Sequence, residues 1–354
     1  MHSFERKLIT TWRKLELPFT GETLIIAVSG GADSSALLAA IATLKKEKKL
    51  DHRIIAAHFD HGLREASGED AKLVADLADR FDSEFVFEKW RHSPKSNIEQ
   101  QARQARYAFL IQSAIKYKSR LIFTAHTIND QAETFLLNLI RGSGIEGLSA
   151  IRPKRKVSPT DFLGKLLPDK NNSGKNRDKE SNLDVNLKIE IIRPLLEFAQ
   201  REDTENYCRH HSINYTLDKM NDDLSFTRVW IRKKLIPLLS ENNPKIVETL
   251  GREARLFASL SDIITLSANN KLPEKLDLKL ILEKKLPAEQ LGLIRLWLSQ
   301  VRGNLRSITN SHLESILRLA LSKKSGRLVE IPGGNVTKSN RLLSFAPSQK
   351  PKKG

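Results

Sequence analysis

The chain has 354 residues, of which 40% are hydrophobic, and it carries a net charge of +17 with a single cysteine. This length leaves room for two or three domains with buried cores. Apolar runs are too short for a membrane-spanning helix and the first residues lack a signal-peptide core, so we predict a cytosolic protein without membrane association. Cys208 alone excludes internal disulfides and any multi-cysteine zinc or iron–sulfur site.

The positive charge is concentrated in the second part of the chain. Residues 1–150 carry 21 Lys and Arg against 19 Asp and Glu, whereas residues 151–354 carry 38 against 23. Such a division is expected when one part performs chemistry and another binds a polyanion. A solvated basic surface with no partner is the alternative.

Short β-branched apolar runs alternate with helical patterns in the first half of the chain. Strands are predicted at residues 23–29, 53–59, 84–90, 120–126 and 188–192, with helices at 34–49, 68–82 and 97–118. Strands separated by helices form βαβ units. We therefore predict a doubly wound parallel α/β sheet in a catalytic domain over residues 1–205, with its ligand site beyond the carboxyl ends of the strands.

A glycine-rich loop joins the first predicted strand to the first helix. Its residues are Ser29, Gly30, Gly31, Ala32, Asp33 and Ser34. Consecutive glycines let backbone N–H groups and the helix dipole approach a phosphate, and Asp33 can hold Mg²⁺. The loop lacks the Gly-Lys-Ser/Thr ending of a Walker A motif. A plain capped turn is the alternative.

Histidines and arginines follow in positions near the predicted pocket. His58 and His61 come at the end of the second strand, where a pocket-mouth loop explains them better than a metal site. Arg103 and Arg106 are three apart on the helix at 97–118 and share one face, which suits a phosphate or a developing negative charge. Solvated arginines on an amphipathic helix give the same spacing.

The fourth predicted strand ends at His126 and leads into a helix that runs to Arg141. At about 100° per residue, Asp130, Glu133 and Arg141 gather on one side of this helix. Two acids near the carboxyl end of a strand can bind a cation, either Mg²⁺ or a substrate amine. Acids that only complement the helix dipole are the alternative.

Beyond the first half, the composition becomes polar and then basic. Residues 154–187 are predicted to form a mobile basic insertion, and residues 206–243 a basic helical segment. Four of its residues place an aromatic ring among cations, as suits an RNA backbone and an unstacked base. They are Arg228, Trp230, Arg232 and Lys233. A Trp anchored in the core among solvated charges is the alternative.

The last part of the chain is predicted to be a small α+β domain over residues 244–346. It has helical stretches at 245–268, 288–301 and 312–321 and strands at 327–331 and 336–345. A basic tail over residues 347–354 is expected to be disordered.

Taken in chain order, these motifs resemble those of one family. The Ser29–Ser34 loop resembles the pyrophosphate loop (PP-loop) of the N-type ATP pyrophosphatases. Together with residues 58–64, 97–107, 125–134, 141–144, 192–196 and 228–237, it makes the chain similar to the tRNA(Ile)-lysidine synthetases. The resemblance is dense over residues 23–152 and 190–239. The chain departs from the family pattern at Val229, where an Asn is usual, and in a longer insertion.

This resemblance implies an ATP- and Mg²⁺-dependent ligase that adenylates the C2 oxygen of the wobble cytidine in a tRNA(Ile) with a CAU anticodon. The ε-amine of free L-lysine then displaces AMP, which changes the codon read from AUG to AUA. The rivals are a tRNA thiolase on the same loop, an amidating synthetase of small molecules, and a non-catalytic RNA-binding protein. The oligomeric state stays open, with a homodimer among the options.

By the same resemblance, each motif acquires a role. The loop residues, with His58 and His126, bind ATP, and Asp33 lies near the Mg²⁺. Asp130 and Glu133 position the lysine and assist its deprotonation. Arg106 and Arg141 stabilise charge on the departing groups. The cationic residues at 228–233 contact the tRNA.

Overall fold

The computed structural model describes residues 1–62, 67–90, 98–163, 187–216, 226–267, 272–284, 286–305 and 307–348. These residues divide into two units. Unit 1 comprises Met1–Glu133 and Ile151–Gly251, and unit 2 comprises Thr134–Ala150 and Arg252–Gly354. The second unit therefore takes an internal segment of the chain as well as its C-terminal part.

The helices and strands follow one another along both units. The helices are α1 (Ser3–Lys14), α2 (Ala32–Lys46), α3 (Ser67–Arg80), α4 (Ile98–Lys116), α5 (Ile128–Ile140), α6 (Ile145–Leu148), α7 (Pro159–Leu163), α8 (Arg201–His210), α9 (Thr227–Trp230), α10 (Ile236–Asn242), α11 (Ile246–Ser267), α12 (Leu278–Leu282), α13 (Pro287–Arg302) and α14 (Asn310–Leu321). The strands are β1 (Thr20–Ala27), β2 (Asp51–Asp60), β3 (Glu84–Lys89), β4 (Leu121–Phe123), β5 (Lys154–Val157), β6 (Ile189–Ile192), β7 (Leu276–Asp277), β8 (Leu328–Ile331), β9 (Gly334–Ser339) and β10 (Leu342–Pro347).

Unit 1 is built on a six-stranded sheet with the order β3-β2-β1-β4-β6-β5. Leu24 of β1 pairs in parallel with Ile54 of β2 on one side and with Leu121 of β4 on the other. Every described pair in this sheet is parallel except the edge strand β5, which is antiparallel to β6. From β1 the chain first adds β2 and β3 on one side and then returns to add β4 and β6 on the other side. This reversal gives the sheet its doubly wound topology.

Both faces of the sheet are buried, as expected for parallel strands covered by helices. Successive side chains of β1 point to opposite faces, so Leu24 and Ile26 join one buried cluster while Ile25 joins the other. The first cluster also contains Trp12 of α1, whose ring is fully buried and whose Nε1 donates to Pro18 O at 2.8 Å. Burial on both faces explains why β1 is a continuous apolar run.

Unit 2 contains a four-stranded antiparallel sheet with the order β7-β10-β9-β8. Its core packs Trp297 of α13 and Ile316 of α14 with Val336 of β9, all of which are fully buried. The turn between β8 and β9 has Pro332 followed by Gly333 at φ +87°. This is the type II arrangement, in which the third position takes a positive φ that glycine adopts without strain.

The structure confirms the predicted fold class of both parts and refines several elements. The single strand predicted at 336–345 is a hairpin of β9 and β10, because Asn340 takes a positive φ of 52° and turns the chain. The predicted insertion at 154–187 begins with strand β5 and helix α7. Its remainder at 164–186 lies outside the described residues, as does the predicted tail from residue 349. No helix in the described part of the chain is long and apolar enough to span a bilayer.

The predicted domain boundaries after residues 205 and 243 stay predictions. In the structure the division between units falls inside α5 and α11, at Glu133 and Gly251. Both divisions lie within a helical pattern with no loop or linker composition around them, so composition could not indicate them.

Candidate active site

The glycine-rich loop closes on itself through two hydroxyl groups at the start of α2. Ser34 Oγ donates to Gly31 O at 3.1 Å and accepts from the Ser29 N–H at 3.0 Å. Gly30 has a φ of +90°, and a Cβ there would come within 3.2 Å of Thr216 Oγ1. Gly31 is the N-cap of α2 and has no side chain with which to cap it. The N-terminal N–H groups of α2 thus suit a bound anion.

A cavity of about 590 Å³ lies beside this loop, at the carboxyl ends of β1, β2 and β4. Ten of the predicted site residues line it. They are Ser29, Gly31, Ala32, Asp33, Ser34, His58, Arg106, His126, Asp130 and Arg232. Since β1 lies between β2 and β4 and the connections diverge from it, the cavity occupies the switch point of the sheet. Ligands of doubly wound folds bind at this point.

Asp33 lies on the first turn of α2 with a mostly buried carboxyl group. Its pKa is raised to about 6, first by burial and then by the charges of Asp130 and Glu205. A hydrogen bond from Thr204 Oγ1 to Asp33 Oδ1, 2.5 Å long, and the nearby Arg201 act in the opposite direction. The groups around Asp33 therefore disfavour the ionised form of its carboxyl group more than they stabilise it.

Such surroundings of Asp33 fit a bound cation. No group of three His, Cys, Asp or Glu side chains in the described part of the chain is arranged to hold a metal ion by itself. Mg²⁺ commonly binds to one or two carboxylates together with phosphate oxygens of a substrate. Asp33, between the anion-binding loop and Asp130, suits that mode, because the missing oxygen ligands would come from the nucleotide.

The two predicted histidines have distinct roles around the cavity. His58 is buried at the end of β2, and its Nδ1 lies 2.8 Å from Val28 O, which ties β2 to the start of the loop. His126 follows β4, with its Nδ1 3.0 Å from Thr124 Oγ1. Burial and then the charges of several arginines, Arg193 and Arg106 foremost, lower the pKa of His126 well below its usual value. His126 is therefore neutral near pH 7.

Glu133 is the most completely paired acid near the site. Its side chain is 0% exposed, and three guanidinium groups reach it. Arg201 Nη2 lies 3.2 Å from Oε1, and Arg228 Nε lies 3.1 Å from Oε2. Arg232 makes a two-point contact, with Nε at 2.6 Å from Oε1 and Nη2 at 3.0 Å from Oε2. We call these four residues the Glu133 cluster.

Comparisons with known proteins agree with this geometry. Residues 2–239 match the model of a family described as the PP-loop domain. A tRNA(Ile)-lysidine synthase of Solibacter usitatus is 31% identical over 335 residues, which cover 92% of this chain and 67% of that protein. This chain belongs to the tRNA(Ile)-lysidine synthase family. The synthase of Dehalococcoides mccartyi is 30% identical over 336 residues, covering 90% of this chain and 65% of its own length.

The chain thus spans slightly less than two thirds of the length of that Dehalococcoides relative, and half of the length of the Thermosipho africanus synthase. A solved structure of the U34-tRNA thiolase NcsA from Methanococcus maripaludis superimposes with a TM-score of 0.53. It covers 72% of this chain and 78% of the thiolase at 15% sequence identity. At that identity the likeness shows a shared fold.

Within this synthase-family site, the two predicted lysine-binding acids differ in placement. Asp130 lines the cavity, and its Oδ2 accepts from the N–H and the hydroxyl of Thr127 at 2.9 and 3.1 Å. Glu133 is absent from the cavity lining, and its oxygens face the Glu133 cluster instead of a ligand. Asp130 Oδ1 also lies 4.0 Å from Arg201 Nη2 and 3.9 Å from Arg228 Nη2. Of the two acids, Asp130 is the one that reaches the cavity.

The predicted tRNA-contacting residues also divide into two sets. Arg228 and Arg232 are four apart on one helical face and turn inward to Glu133. Trp230 is 42% exposed and Lys233 is also exposed. Arg141 is exposed just past the end of α5, in unit 2. The roles predicted for these residues stay predictions.

Sequence reasoning missed the residues that α8 and the chain after it bring to the cavity. These are Arg201, Glu205, Tyr215 and Thr216. Arg201 begins the helix that follows β6, so its position after the carboxyl end of a parallel strand was the available signal. Tyr215 and Thr216 follow that helix in a segment with no periodicity, so the sequence carried no signal for them. Three residues of the predicted motifs lie outside the described residues, namely Leu63, Arg64 and Asn97.

Proposed function

We propose that this protein is a tRNA(Ile)-lysidine synthetase. The observation that carries the proposal is that one cavity is lined by both the glycine-rich loop and two acids, Asp33 and Asp130, in a chain of the lysidine synthase family. The loop serves the phosphates of ATP, and the acids serve a divalent cation and an amine. The reaction needs both kinds of site.

In the first step the C2 oxygen of the wobble cytidine of a CAU anticodon attacks the α-phosphorus of ATP. The bond to the β,γ-pyrophosphate breaks, and pyrophosphate leaves. The N–H groups at the start of α2 and the hydroxyls of Ser29 and Ser34 hold the phosphates. Asp33 would hold a Mg²⁺ ion, which would supply positive charge to the phosphates, and Arg106 on the cavity wall stabilises charge on the departing pyrophosphate.

In the second step the ε-amine of free lysine attacks C2, and AMP departs with the former C2 oxygen. An ammonium group has no free electron pair, so it must lose a proton before it attacks. Asp130, whose carboxylate lines the cavity, is placed to orient this group and to accept that proton. The neutral His126 lies against the nucleotide without adding charge to it.

Incorporation of radiolabelled lysine into an unmodified tRNA(Ile) transcript with a CAU anticodon tests the proposal. We expect incorporation that requires ATP and Mg²⁺ and disappears when the wobble C is replaced. An Asp33→Asn variant serves as the catalytic control. Pyrophosphate release stimulated by tRNA without any lysine incorporation would overturn the lysidine assignment and leave an adenylating enzyme with another nucleophile.

The thiolase alternative has little support from the cysteine chemistry of this chain. Burial raises the pKa of the Cys208 thiol to about 12, and its Sγ lies 3.4 Å from Ala32 O. A thiol in that state is a poor nucleophile. The non-catalytic alternative predicts that the protein binds tRNA without consuming ATP, and the same assay measures ATP consumption. Light scattering tests whether the protein is a homodimer.

A further inference from the structure

A second cluster of cationic side chains lies at the carboxyl end of β6, outside the loop and the Glu133 cluster. Arg193 follows β6 directly and is only 4% exposed, and Tyr107 of α4 beside it is 3% exposed. The guanidinium carbons of Arg103 and Arg106 lie 5.3 and 5.5 Å from the centre of the Tyr107 ring. Three guanidinium groups thus surround one phenol, and we call these four residues the Tyr107 cluster.

The Tyr107 cluster has no acid to balance it in the described part of the chain. Neither Arg103, Arg106 nor Arg193 forms an ion pair with any described carboxylate, in contrast to the Glu133 cluster. Burial lowers the pKa of Arg193, the contact with Tyr107 opposes that shift, and the charges of Arg103 and Arg155 of β5 lower the pKa further. Arg193 is buried, Arg106 is half-buried and Arg103 is exposed. A buried positive charge without an acidic partner, as at Arg193, is costly unless an anion binds beside it.

The hydroxyl of Tyr107 and Nε of Arg193 are buried and make no hydrogen bond of regular geometry to a described group. The two side chains contact each other, and Arg193 Nη1 is fixed by a 2.8 Å hydrogen bond to Arg152 O. Buried polar groups in native proteins are nearly always paired, so unpaired ones indicate a ligand. The hydroxyl of Tyr107 and the guanidinium edge of Arg193, with Arg103 and Arg106 nearby, are the kinds of group that bind a phosphate.

The phosphates of ATP already have a place elsewhere in the unit. The PP-loop follows β1, whereas Arg193 follows β6, and β4 lies between those strands. Neighbouring strands are about 4.8 Å apart, so the two sites are separated by roughly 10 Å across the sheet. Arg106 lines the cavity and also belongs to the Tyr107 cluster. Arg103, Tyr107 and Arg193 are not on the cavity lining, so a polyanion in the cavity meets the cluster at Arg106.

We propose that the Tyr107 cluster binds a backbone phosphate of the RNA substrate, beside the nucleotide that reacts in the cavity. This inference rests on the proposed function, because it takes RNA as the substrate. The contact with Arg193 fixes the register of the RNA strand and leaves the base free to enter the cavity. Arg193 and Tyr107 are binding residues that neither the motifs nor the comparisons assign.

Binding measurements with full-length protein test this proposal. The probe is a short RNA hairpin with a CAU loop, titrated by fluorescence anisotropy over a range of salt concentrations. We expect Arg193→Gln to raise the Kd for the hairpin about 10-fold and to reduce its salt slope by about one, because one phosphate contact is lost. We expect Tyr107→Phe to raise the Kd roughly threefold, because only one hydrogen bond is removed.

Two controls separate this effect from a general one. Arg13→Gln removes the same charge from an exposed position on α1 and should leave the Kd for the hairpin nearly unchanged. The Kd for a non-hydrolysable ATP analogue should be the same in Arg193→Gln and the parent protein. If Arg193→Gln does not fold, shown by its circular dichroism, Tyr107→Phe and the exposed Arg103→Gln carry the test.

The outcomes distinguish this inference from the proposed function. Equal hairpin affinity in the parent protein and in the Arg193 and Tyr107 variants overturns the phosphate site and leaves the synthetase assignment in place. If the variants bind the ATP analogue more weakly while their affinity for the RNA hairpin is unchanged, the cluster binds the nucleotide. That result also overturns the inference. A parent protein that binds no RNA overturns the proposed function itself.

Discussion

Asp33 and Glu133 are two buried acids of unit 1 with opposite surroundings. Glu133 is contacted by three guanidinium groups, whereas Asp33 receives one hydroxyl hydrogen bond and faces the charge of Asp130. A buried charge that is fully paired stabilises a local structure, while one that is poorly paired is available to a ligand. The comparison teaches that burial alone does not identify a catalytic acid.

The largest effect is expected from removal of the paired acid. Glu133→Ala leaves the guanidinium groups of the cluster without their shared partner, and we expect a loss of about 3 kcal/mol in the free energy of unfolding. Urea denaturation at pH 7 measures it. Glu314→Ala, at a helix position of unit 2 whose acid has no ion pair among the described residues, is the matched control and should change stability by less than about 0.5 kcal/mol.

A different result would break the comparison. If Glu133→Ala kept the parent stability but raised the KM for lysine at unchanged KM for ATP, Glu133 would be the amine-binding acid after all. The arginines would then be its alternative partners rather than its permanent ones.

The poorly paired acid should behave in the opposite way. The pKa of Asp33 is raised to about 6 from its ordinary value of 3.8. The folded state therefore loses stability as the pH rises from about 4 to about 6, since the unfolded chain releases this proton more readily. We expect Asp33→Asn to be about 2–3 kcal/mol more stable at pH 7, by 1.36 kcal/mol per pKa unit, and inactive.

Thermal unfolding across the pH range measures this difference. The gain in Asp33→Asn should be present above pH 6 and vanish below pH 4, where Asp33 is protonated in both states. A gain that stayed constant with pH would show that the ionisation of Asp33 is not its source. In the parent protein, activity should rise through pH 6 as Asp33 ionises.

Thr204 offers a smaller and more local test. Its hydroxyl donates to Asp33 Oδ1 and holds the pKa of that acid down. Thr204→Val removes the donor at nearly constant volume, so we expect the acid limb of the pH–activity profile to move up by about 0.5–1 unit, equivalent to one hydrogen bond. Thr204→Ser should restore the parent profile. An unchanged acid limb in Thr204→Val would remove Thr204 from the control of Asp33.

The smallest expected effect concerns the outward side of the segment that carries Arg228 and Arg232. Lys233 is exposed, and Lys233→Gln should change the free energy of unfolding by less than about 0.5 kcal/mol while lowering the salt slope of RNA binding by about one. Arg228→Gln should lower the free energy of unfolding, because the Arg228 guanidinium contacts Glu133. It should leave the salt slope of RNA binding unchanged. Fluorescence anisotropy of both variants measures RNA binding, and urea denaturation measures stability. Together they show whether the exposed Lys233 contacts RNA while the inward-facing Arg228 stabilises the fold.

Local sequence signals predicted the elements that depend on neighbouring residues. The run before Ser29 indicated β1, and the glycines after it indicated the loop and α2, because strand periodicity, turn chemistry and helix dipoles act over a few residues. Asp33, His126 and Arg106 were predicted at strand ends or on the face of a helix, and all three line the cavity. Edge strand β5 was missed because its residues are mostly charged.

The partners of each charge could not be predicted in the same way. The spacing of Asp130 and Glu133 places them near each other on one helix, but it carries no information about Arg201, which is 68 residues from Glu133 in the chain. The same limit explains why Arg228 and Arg232 were expected to contact RNA. Their spacing shows a shared face, and it does not show what that face meets.

The doubly wound sheet, the PP-loop, the charge difference between the two halves of the chain and the family resemblance all follow from the sequence. They depend on patterns within single elements or on sums over residues. The pairing of buried charges follows from the fold alone, because it depends on side chains that meet from distant elements. The fold brought three arginines to Glu133, left Asp33 with one hydroxyl, and placed Arg193 beside Tyr107.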